Sequence, residues 1–482
     1  MDVRGTDLSL EAIPSDMLAV VVGTDFDTAL SDLDAKLGGG LVAWLRRCRF
    51  GGSEGASSVL PTLGKLAAKD LLIVGCGKGS ARELRVAAGK IGREARAYGV
   101  RHLAVQWPSS IRDTSNTLRQ ICAGNYVYER YRNEESRTAP IEQISLVGGS
   151  VSSGDVRRLA VLDARQSFAR DLVNAPPADL YPESFAAAAA ELAGIPHVEV
   201  EVWDQARLRA ERCVGILAVG RGSARPGRLI HLRYRPPGAT RHVALVGKGV
   251  TYDSGGMSLK PTSGQLTMRC DMGGAATVLA AGAAVAELGL PVALDVFIGA
   301  VENMCAADSY KLGDILSYPN GVTVEVHNTD AEGRLVMADC LIRACQTPGV
   351  THVVDAATLT GACAIAVGSH FAGLFTTSEE LATDLGKAAA AVDEGLWRLP
   401  LHKPYGQHLK ADWGQIKNLG VREGGASIAA SFLEHFVTED VEWAHLDIAA
   451  SSFIDKADSR YAAGGTGEGV ATLVAWLESF AG

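Results

Sequence analysis

The chain lacks an apolar run long enough to cross a membrane and an apolar core of signal-peptide type near its start. Its first sixteen residues, MDVRGTDLSLEAIPSD, are interrupted by charged side chains. The apolar stretch Ala275–Ala286 is rich in Ala and Gly and falls short of the roughly 20 residues that a spanning helix needs. We therefore expect a protein without a signal peptide or membrane segment.

Closely spaced cysteine pairs and excess positive charge are also lacking. The nine cysteines are scattered, and none forms a C-x-x-C pair. An odd number of dispersed cysteines is typical of a reducing compartment, so we expect a cytoplasmic protein. The formal net charge of −9 disfavours general binding to nucleic acid or to anionic membranes, although a local basic patch is compatible with it.

Familiar hydrolase motifs are absent or out of context. No histidines form H-E-x-x-H, which excludes the usual histidine-ligated zinc protease signature. Residues 51–55 match G-x-S-x-G around Ser53, but a helix-like run precedes them where a nucleophile elbow requires a strand. GCGKGS at 75–80 lacks the third glycine of a dinucleotide-binding turn, so we interpret it as a tight turn between strand and helix.

The chain does have a regular alternation of strand-like and helix-like segments. At 482 residues it exceeds the usual size of a single core, so two domains are expected. The alternation predicts an α/β fold in which each domain has a mainly parallel or mixed sheet flanked by helices. We predict an N-terminal α/β domain over 1–150, a linking helix over 154–174 and a larger C-terminal catalytic domain over 175–482.

Hydrophobic patterning predicts the bounds of the individual strands and helices. The predicted strands cover residues 17–24, 70–77, 102–107, 144–149, 197–202, 228–234, 242–250, 291–300, 322–328, 352–359 and 442–449. The predicted helices cover residues 27–47, 80–99, 114–132, 183–194, 272–288, 332–346, 379–393 and 425–438.

Four acidic residues stand where predicted strands end or helices begin. Asp253 ends a strongly apolar strand pattern, Asp271 precedes a helix of small residues, and Asp330 and Glu332 precede another helix. Any one of them could be an ordinary helix cap or a partner of the helix dipole. Ligands bind at the carboxyl ends of strands in open α/β sheets, and four carboxylates converging there would repel one another unless a cation neutralised them.

An all-oxygen ligand set suits Mg²⁺, Mn²⁺ or Zn²⁺, and four acids are enough for a pair of ions that activates water. Lys260 and Arg334 lie close in sequence to the same acids. A cation aimed at a developing oxyanion is what hydrolysis of a carbonyl compound requires. The alternative is that both simply balance the acids.

Several of these segments together resemble the leucyl aminopeptidase family, the di-metal cytosol aminopeptidases. The resemblance rests on NTDAEGRL at 328–335, GKGVTYDSGG at 247–256, KP at 260–261 and DMGGAA at 271–276. It extends over about residues 165–482, with TLTGA at 358–362 and WAHLDIA at 443–449, whereas residues 1–150 are similar only in length and α/β alternation.

The resemblance implies a metallo-exopeptidase that releases leucine and other apolar residues from the N-termini of small peptides. It makes two Mn²⁺ or Zn²⁺ ions the cofactors, with Asp253 and Glu332 bridging both. The implied ligands are Lys248, Asp253, Asp271, Asp330 and Glu332. Lys248, which would bind through a neutral amine, did not emerge from the residue patterns alone, because an amine must lose its proton before it can bind a metal.

The resemblance also assigns the remaining roles. Lys260 and Arg334 match the two catalytic residues of the family. Lys260 would stabilise the tetrahedral intermediate, and Arg334 would hold a bicarbonate that relays a proton. Family members build the side-chain pocket near the positions of Met268, Thr358, Gly361 and Ala449.

The resemblance further implies a homo-oligomer, a hexamer, in which residues 1–150 serve oligomerisation or regulation. Two alternatives stay open: an additional DNA-binding regulatory role, for which the basic segment 82–101 is the candidate, and a di-metal hydrolase of another amide or a phosphoester. Residues 305–307 and 311–314 depart from the usual family sequence, which bears on loop shape and substrate preference.

Overall fold

The four inner strands of the N-terminal sheet form from short apolar runs that are buried on both faces. In Met17–Val22, every residue is buried, and alternate residues enter two separate hydrophobic clusters. A strand covered on both faces has no polar positions to alternate with, which explains its continuous apolar sequence. The computed structural model describes residues 1–107, 114–149 and 151–481; the gaps fall within the predicted N-terminal domain and at the last residue.

Over these residues the chain forms two units, the first comprising 1–164 with 455–463 and the second 165–454 with 464–482. The first unit has a six-stranded sheet in the order β1-β6-β5-β2-β4-β3, parallel except for β3. Its strands are β1 (Asp2–Thr6), β2 (Met17–Val22), β3 (Ser57–Pro61), β4 (Asp70–Gly75), β5 (His102–Gln106) and β6 (Gln143–Val147).

The helices of the first unit are shorter and more numerous than predicted. They are α1 (Phe26–Ala29), α2 (Ser31–Lys36), α3 (Leu41–Arg47), α4 (Ala81–Ala97) and α5 (Thr114–Asn125). The prediction of one helix over 27–47 is wrong, because Gly38, Gly39 and Gly40 have φ of 89°, 76° and 115° and end α2 before α3 begins. The amphipathic pattern at 154–174 forms a single helix, α6 (Ser153–Asn174).

The second unit has an eight-stranded mixed sheet in the order β15-β14-β17-β13-β9-β10-β8-β7, whose four central strands are parallel. Its strands are β7 (Val198–Trp203), β8 (Arg228–Tyr234), β9 (Arg241–Asp253), β10 (Val292–Asn303), β13 (His352–Ala357), β14 (Ala372–Phe375), β15 (Leu396–Arg398) and β17 (Glu442–Asp447). Two smaller sheets contain β11 (Ile315–Ser317), β12 (Thr323–Glu325) and β16 (Ile416–Lys417), and β18 (Phe453–Ile454) and β19 (Gly464–Gly465).

The helices of the second unit confirm the prediction of an α/β fold with sheets flanked by helices. They are α7 (Pro182–Ala190), α8 (Gln205–Ala210), α9 (Val214–Val219), α10 (Thr262–Gln265), α11 (Gly273–Leu288), α12 (Gly333–Gln346), α13 (Gly361–Val367), α14 (Glu379–Ala391), α15 (Gly425–Glu434) and α16 (Val470–Glu478).

Helix α11 lies so close to the sheet that only small residues fit between them. A Cβ atom on Gly274 would lie 2.0 Å from the carbonyl oxygen of Ala356, and one on Gly247 would lie 2.5 Å from Cα of Ala275. The segment Met268–Leu288 is long and apolar enough to cross a membrane, but 89% of its most apolar window is buried inside the protein. Its apolar composition is therefore explained by packing against β9 and β13.

Candidate metal centre

The carboxyl ends of the four central strands meet at one edge of the large sheet, and each carries a polar side chain. Asp253 is the last residue of β9, Asn303 of β10 and Asp447 of β17, and Thr358 directly follows β13. All four residues are buried. This edge is where an open parallel sheet binds its ligands.

Asp253 is fixed by the neighbouring strand and by the turn that follows it. The side-chain amide of Asn303 donates to Oδ1 of Asp253 at 2.7 Å. Gly255 and Gly256 then adopt φ of 87° and 61°, a conformation that favours glycine, and turn the chain back toward Lys260. A Cβ on Gly255 would lie 2.8 Å from Oδ1 of Asp330, so the turn also lies against the next acidic residue.

Asp330 and Glu332 come from the loop between β12 and α12. One carboxylate oxygen from each of them and one from Asp253 lie within 4.8 Å of one another. Glu332 is only 1% exposed, and it is the residue that immediately precedes the first turn of α12. Three carboxylates are thus brought together within the reach of a single cation.

Lys248 connects this group to Asp271. Its Nζ lies 2.7 Å from Oδ1 of Asp271 and 2.9 Å from Oε1 of Glu332, and it donates to the carbonyl oxygen of Thr358 at 2.9 Å. The Thr358 hydroxyl in turn donates to Oδ1 of Asp271 at 2.8 Å. The Lys248 side chain reaches the acids across Gly333, where a Cβ atom would lie 2.5 Å from Cε of Lys248.

Lys260 lies on the other side of the carboxylates. Its Nζ lies 2.9 Å from Oδ2 of Asp253 and 2.6 Å from Oδ1 of Asp330. The ion pairs thus form two groups, Lys248 with Asp271 and Glu332, and Lys260 with Asp253 and Asp330. The close approach of the Asp253, Asp330 and Glu332 carboxylates brings the two groups, and so Lys260 and all five residues predicted as metal ligands, into one cluster.

The charges in this network are unbalanced, since four carboxylates face two ammonium groups. Burial raises the pKa values of Asp253, Asp271 and Asp330, and neighbouring carboxylates raise them further against the opposite effect of the lysines. Burial acts to lower the pKa of Lys248 and of Lys260, but the surrounding carboxylates outweigh it and raise both.

The donor atoms fit a divalent cation. Within the part of the chain that the structure describes, Oδ2 of Asp271 and Oε2 of Glu332 are buried and accept no hydrogen bond. Buried carboxylate oxygens without a donor are costly, and coordination of a hard or borderline cation would satisfy them. The set of four carboxylates and an amine suits Mn²⁺ or Zn²⁺.

Arg334 lies in the first turn of α12 but takes no part in the ion pairs among the described residues. Its guanidinium lies 5.9 Å from the ring centre of Phe432, and its buried Nε has no hydrogen-bond partner in the described regions. Burial lowers the pKa of Arg334 to about 10, against the opposite effect of Glu332 and Asp447. The two predicted catalytic cations thus have different surroundings.

The residues predicted for a side-chain pocket lie on loops that adjoin the carboxylates. Met268 is in the turn before Asp271, Thr358 and Gly361 follow β13, and Ala449 follows β17. Met268 and Ala449 are partly exposed, Gly361 is exposed and Thr358 is buried.

Asp447 joins the loops after β13 and β17. Its carboxylate accepts from the N–H groups of Leu359, Thr360 and Ala449 at 3.2, 3.4 and 3.2 Å, and from the Thr360 hydroxyl at 2.7 Å. Sequence reasoning missed Asp447 as it missed Asn303. The available signal was the same in both cases: a polar residue that ends a buried strand.

Comparison with known proteins gives matches over both units. Residues 167–474 match the family described as "Cytosol aminopeptidase family, catalytic domain", and residues 17–135 match "Cytosol aminopeptidase family, N-terminal domain". The first 150 residues, which by sequence resembled the family only in length and alternation, thus have a family match of their own.

Individual proteins agree with the family matches. A "Probable cytosol aminopeptidase" from Rhodopirellula baltica is 45% identical over 359 residues, covering 74% of this chain and 69% of that protein. A second "Probable cytosol aminopeptidase", from Rippkaea orientalis, is 35% identical over 493 residues, and the match covers 100% of both chains.

Solved structures also match. A tomato leucine aminopeptidase mutant has a TM-score of 0.89 at 31% identity, covering 99% of this chain and 96% of that one. The bottromycin maturation enzyme BotP in complex with Mn has a TM-score of 0.85 at 33% identity, covering 97% of this chain and 100% of that one.

Proposed function

The chain belongs to the cytosol aminopeptidase family and is a metal-dependent exopeptidase acting on the N-termini of peptides, and we propose that the carboxylates at the end of β9 are its active site. One observation carries this assignment: oxygens of Asp253, Asp330 and Glu332 lie within 4.8 Å of one another in a buried setting. Four carboxylates face only two ammonium groups here, so a metal cation would offset the repulsion that remains.

We propose that two divalent ions, Mn²⁺ or Zn²⁺, bind here and that Lys248, Asp253, Asp271, Asp330 and Glu332 would hold them. The buried oxygens of Asp271 and Glu332 that accept no hydrogen bond among the described residues support this assignment. Bound divalent ions would supply Lewis acidity that activates water and polarises a peptide carbonyl. Lys248 would contribute a neutral amine, because a metal ligand must be deprotonated.

We propose that Lys260 stabilises negative charge on the substrate. At 18% side-chain exposure it is more open than Lys248, at 4%, and it pairs with different carboxylates, those of Asp253 and Asp330. Once Asp253 and Asp330 held a cation, the Lys260 ammonium would be available to donate to the carbonyl oxygen of the substrate.

Arg334 is proposed to hold a small anion such as bicarbonate, whose role would be that of a proton acceptor. The support is its buried guanidinium, which forms no ion pair with a carboxylate in the regions that the structure describes. A buried cation of this kind favours an anionic partner.

Small peptides with leucine or another apolar first residue are the proposed substrates. Thr358, Gly361, Ala449 and Met268 would line the pocket for that residue, since their loops adjoin the carboxylates. A pocket of small and apolar groups beside a charged centre would orient the first side chain away from the metals.

We further propose a cytoplasmic hexamer with an N-terminal domain over 1–150 for assembly or regulation, a linking helix over 154–174 and the catalytic domain over 175–482. The nine free cysteines are compatible with a reducing compartment.

The DNA-binding alternative is not favoured. On α4, the basic segment, Arg82 pairs with Glu54 at 3.2 Å, Lys90 with Glu94 at 2.6 Å and Arg96 with Glu129 at 2.5 Å. Cations already paired with carboxylates make a poor surface for phosphate binding.

The proposal is tested by removing metal with a chelator, adding Mn²⁺ or Zn²⁺ back, and assaying a leucyl anilide beside an aryl phosphate. We expect hydrolysis of the anilide to return with the metal and the aryl phosphate to remain intact. Restored phosphatase activity without anilide hydrolysis would instead support the alternative hypothesis of a di-metal phosphoester hydrolase.

A further inference from the structure

The loop that carries Asp330 and Glu332 has almost no main-chain partners of its own. The sequence predicts a strand over 322–328, but β12 ends at Glu325, where its pairing with the two-residue strand β16 also ends. Val326 still bonds to the main chain of Gly313 and Asp314. The backbone groups of the following residues, of which Thr329 and Ala331 are buried, are bonded mostly by side chains.

One buried side chain provides four of these partners. Oδ1 of Asn418 accepts from the N–H groups of His327 at 2.8 Å and Asn328 at 3.2 Å. Its Nδ2 donates to the carbonyl oxygens of Asn328 at 2.6 Å and Ala331 at 3.2 Å. A carboxamide has two donor hydrogens and an oxygen with two lone pairs, so the whole hydrogen-bonding capacity of Asn418 is used on this loop.

The position of Asn418 follows from the register of the small sheet. Glu325 of β12 pairs with Lys417 of β16, and the Asn418 N–H donates to the Glu325 carbonyl at 3.1 Å. The next residue along each strand therefore brings the Asn418 side chain beside the chain as it leaves β12. Asn418 is fully buried, so water cannot replace it without rearrangement.

The opposite side of the loop is held by the turn that follows Asp253. The Thr329 hydroxyl donates to the Gly255 carbonyl at 2.6 Å and accepts from the Ser258 N–H at 2.7 Å. Asn303 and Tyr310 also donate to the Thr329 carbonyl, at 2.9 and 2.7 Å. These contacts all hold Thr329, whereas Asn418 provides the four side-chain bonds to residues 327, 328 and 331.

We propose that Asn418 is a positioning residue for the metal centre, which holds residues 327–331 so that Asp330 and Glu332 are in place before an ion binds. This inference rests on the proposed function of those two carboxylates. Residues that orient metal ligands without touching the metal typically change metal affinity or activity by 10–100-fold when they are replaced.

Asparagine is required at this position for its donors. In Asn418→Asp the side chain keeps its shape and can still accept from His327 and Asn328. It can no longer donate to the carbonyls of Asn328 and Ala331, and it places a negative charge against them. Asn320→Asp is the matched control, because it makes the same chemical change at an exposed amide that accepts from Val322 N–H and donates to the His435 carbonyl.

The test measures the Mn²⁺ dissociation constant of metal-free full-length protein by chelator competition, together with thermal unfolding without metal and kcat at saturating Mn²⁺. For Asn418→Asp we expect a dissociation constant about 10–100-fold higher than wild type, with kcat largely recovered at saturating Mn²⁺. For Asn320→Asp both values should match wild type.

A purely structural role would lower the unfolding temperature and leave the dissociation constant of the folded protein unchanged, which would overturn the proposal. If Asn418→Asp does not fold, Asn418→Ala, which adds no charge, should show the same rise in dissociation constant. Asp330→Ala in the same assay separates the two proposals. If it binds Mn²⁺ like wild type, the metal site itself is misassigned; if it loses Mn²⁺ while the Asn418 variants do not, only the positioning role fails.

Discussion

The two ends of the central strands in the second unit both carry buried carboxylates but differ in how these are satisfied by their neighbours. At the carboxyl ends, Asp253 and its neighbours outnumber the cations that face them, and burial raises the pKa values of three of these carboxyl groups. At the amino ends, a single buried carboxylate, Asp295, is fully satisfied by its neighbours.

Asp295 on β10 is bonded by three side chains. His231 Nε2 lies 2.6 Å from its Oδ1, and His242 Nε2 and Arg235 Nη2 lie 2.5 and 2.7 Å from its Oδ2. Burial acts to raise the pKa of Asp295, but the hydrogen bonds from the two histidines and the charge of Arg235 lower it well below its usual value. Both carboxylate oxygens of Asp295 thus have side-chain partners, so the amino-end cluster needs no further ligand.

The difference teaches that buried charge alone does not identify a metal site. Both clusters are buried and polar, and both join several strands. Only the carboxyl-end cluster has more acids than cations and carboxylate oxygens that accept no hydrogen bond within the described residues. An excess of unsatisfied acceptors distinguishes a place prepared for a cation from an ion-pair network that stabilises the fold.

The largest effect is expected from the carboxyl end. Asp330→Ala should remove nearly all peptidase activity, because it breaks the group of three carboxylates. The metal-free variant should fold as well as wild type, since loss of one acid reduces repulsion with Asp253. Anilide hydrolysis with added Mn²⁺ measures the loss of activity, and circular dichroism measures the folding of the variant. Retained activity would contradict the assignment of Asp330 to the metal centre.

Lys260→Ala should reduce kcat by about 10²–10³, because it removes a donor to the developing oxyanion. Mn²⁺ binding should persist, since Lys260 is not among the proposed ligands. Steady-state kinetics and metal analysis of the purified variant provide the measurement. Loss of the metal together with activity would show that Lys260 supports the site in another way.

A replacement at the amino end should affect stability and leave catalysis alone. Asp295→Asn should lower the free energy of unfolding by about 1–3 kcal/mol, since buried donors lose their acceptor. The value of kcat per folded molecule should equal that of wild type. Urea unfolding measures the stability, and kinetics normalised to the concentration of active sites measure kcat. A fall in kcat with unchanged stability would show that Asp295 serves catalysis and not the fold.

The last expected effect concerns the pH dependence of stability and a buried acid outside both clusters. Burial raises the pKa of Asp339 to about 8, although the N–H groups at the start of α9, with Ile216 at 2.8 Å, act to lower it. Between about pH 4 and pH 8 the Asp339 carboxyl group is protonated in the folded state and ionised in the unfolded chain. This group should therefore lower the free energy of unfolding by about 1.4 kcal/mol for each pH unit of increase in that range. Asp339→Asn should flatten that dependence in urea titrations of metal-free protein, and equal slopes for both proteins would contradict it.

The sequence predicted the parts of the molecule that depend on local patterns. The long apolar strands, the helices α11 and α12 and the four acids at element boundaries are all encoded in contiguous segments. Short strands such as β11 and β16 escaped prediction, because two or three residues carry no periodicity and exist only through their partners.

The geometry of the candidate site depended on contacts between distant segments. Asn303 and Asp447 bond to residues that no local pattern connects with them, and Lys248 entered the ligand set only through the family resemblance. The four hydrogen bonds of Asn418 join residues about ninety positions apart, which no single-sequence window can show.

Gly333 illustrates that a positive φ is not the only reason for a glycine beside the proposed metal centre. Its φ is not positive, so the helix would tolerate alanine here; the obstacle is the aliphatic end of Lys248 crossing in front of it. A methyl group at this position would displace the buried Lys248 side chain, whose Nζ is held by Asp271, Glu332 and the Thr358 carbonyl. Gly333→Ala would therefore shift the amine proposed as a metal ligand without requiring a change in the backbone conformation.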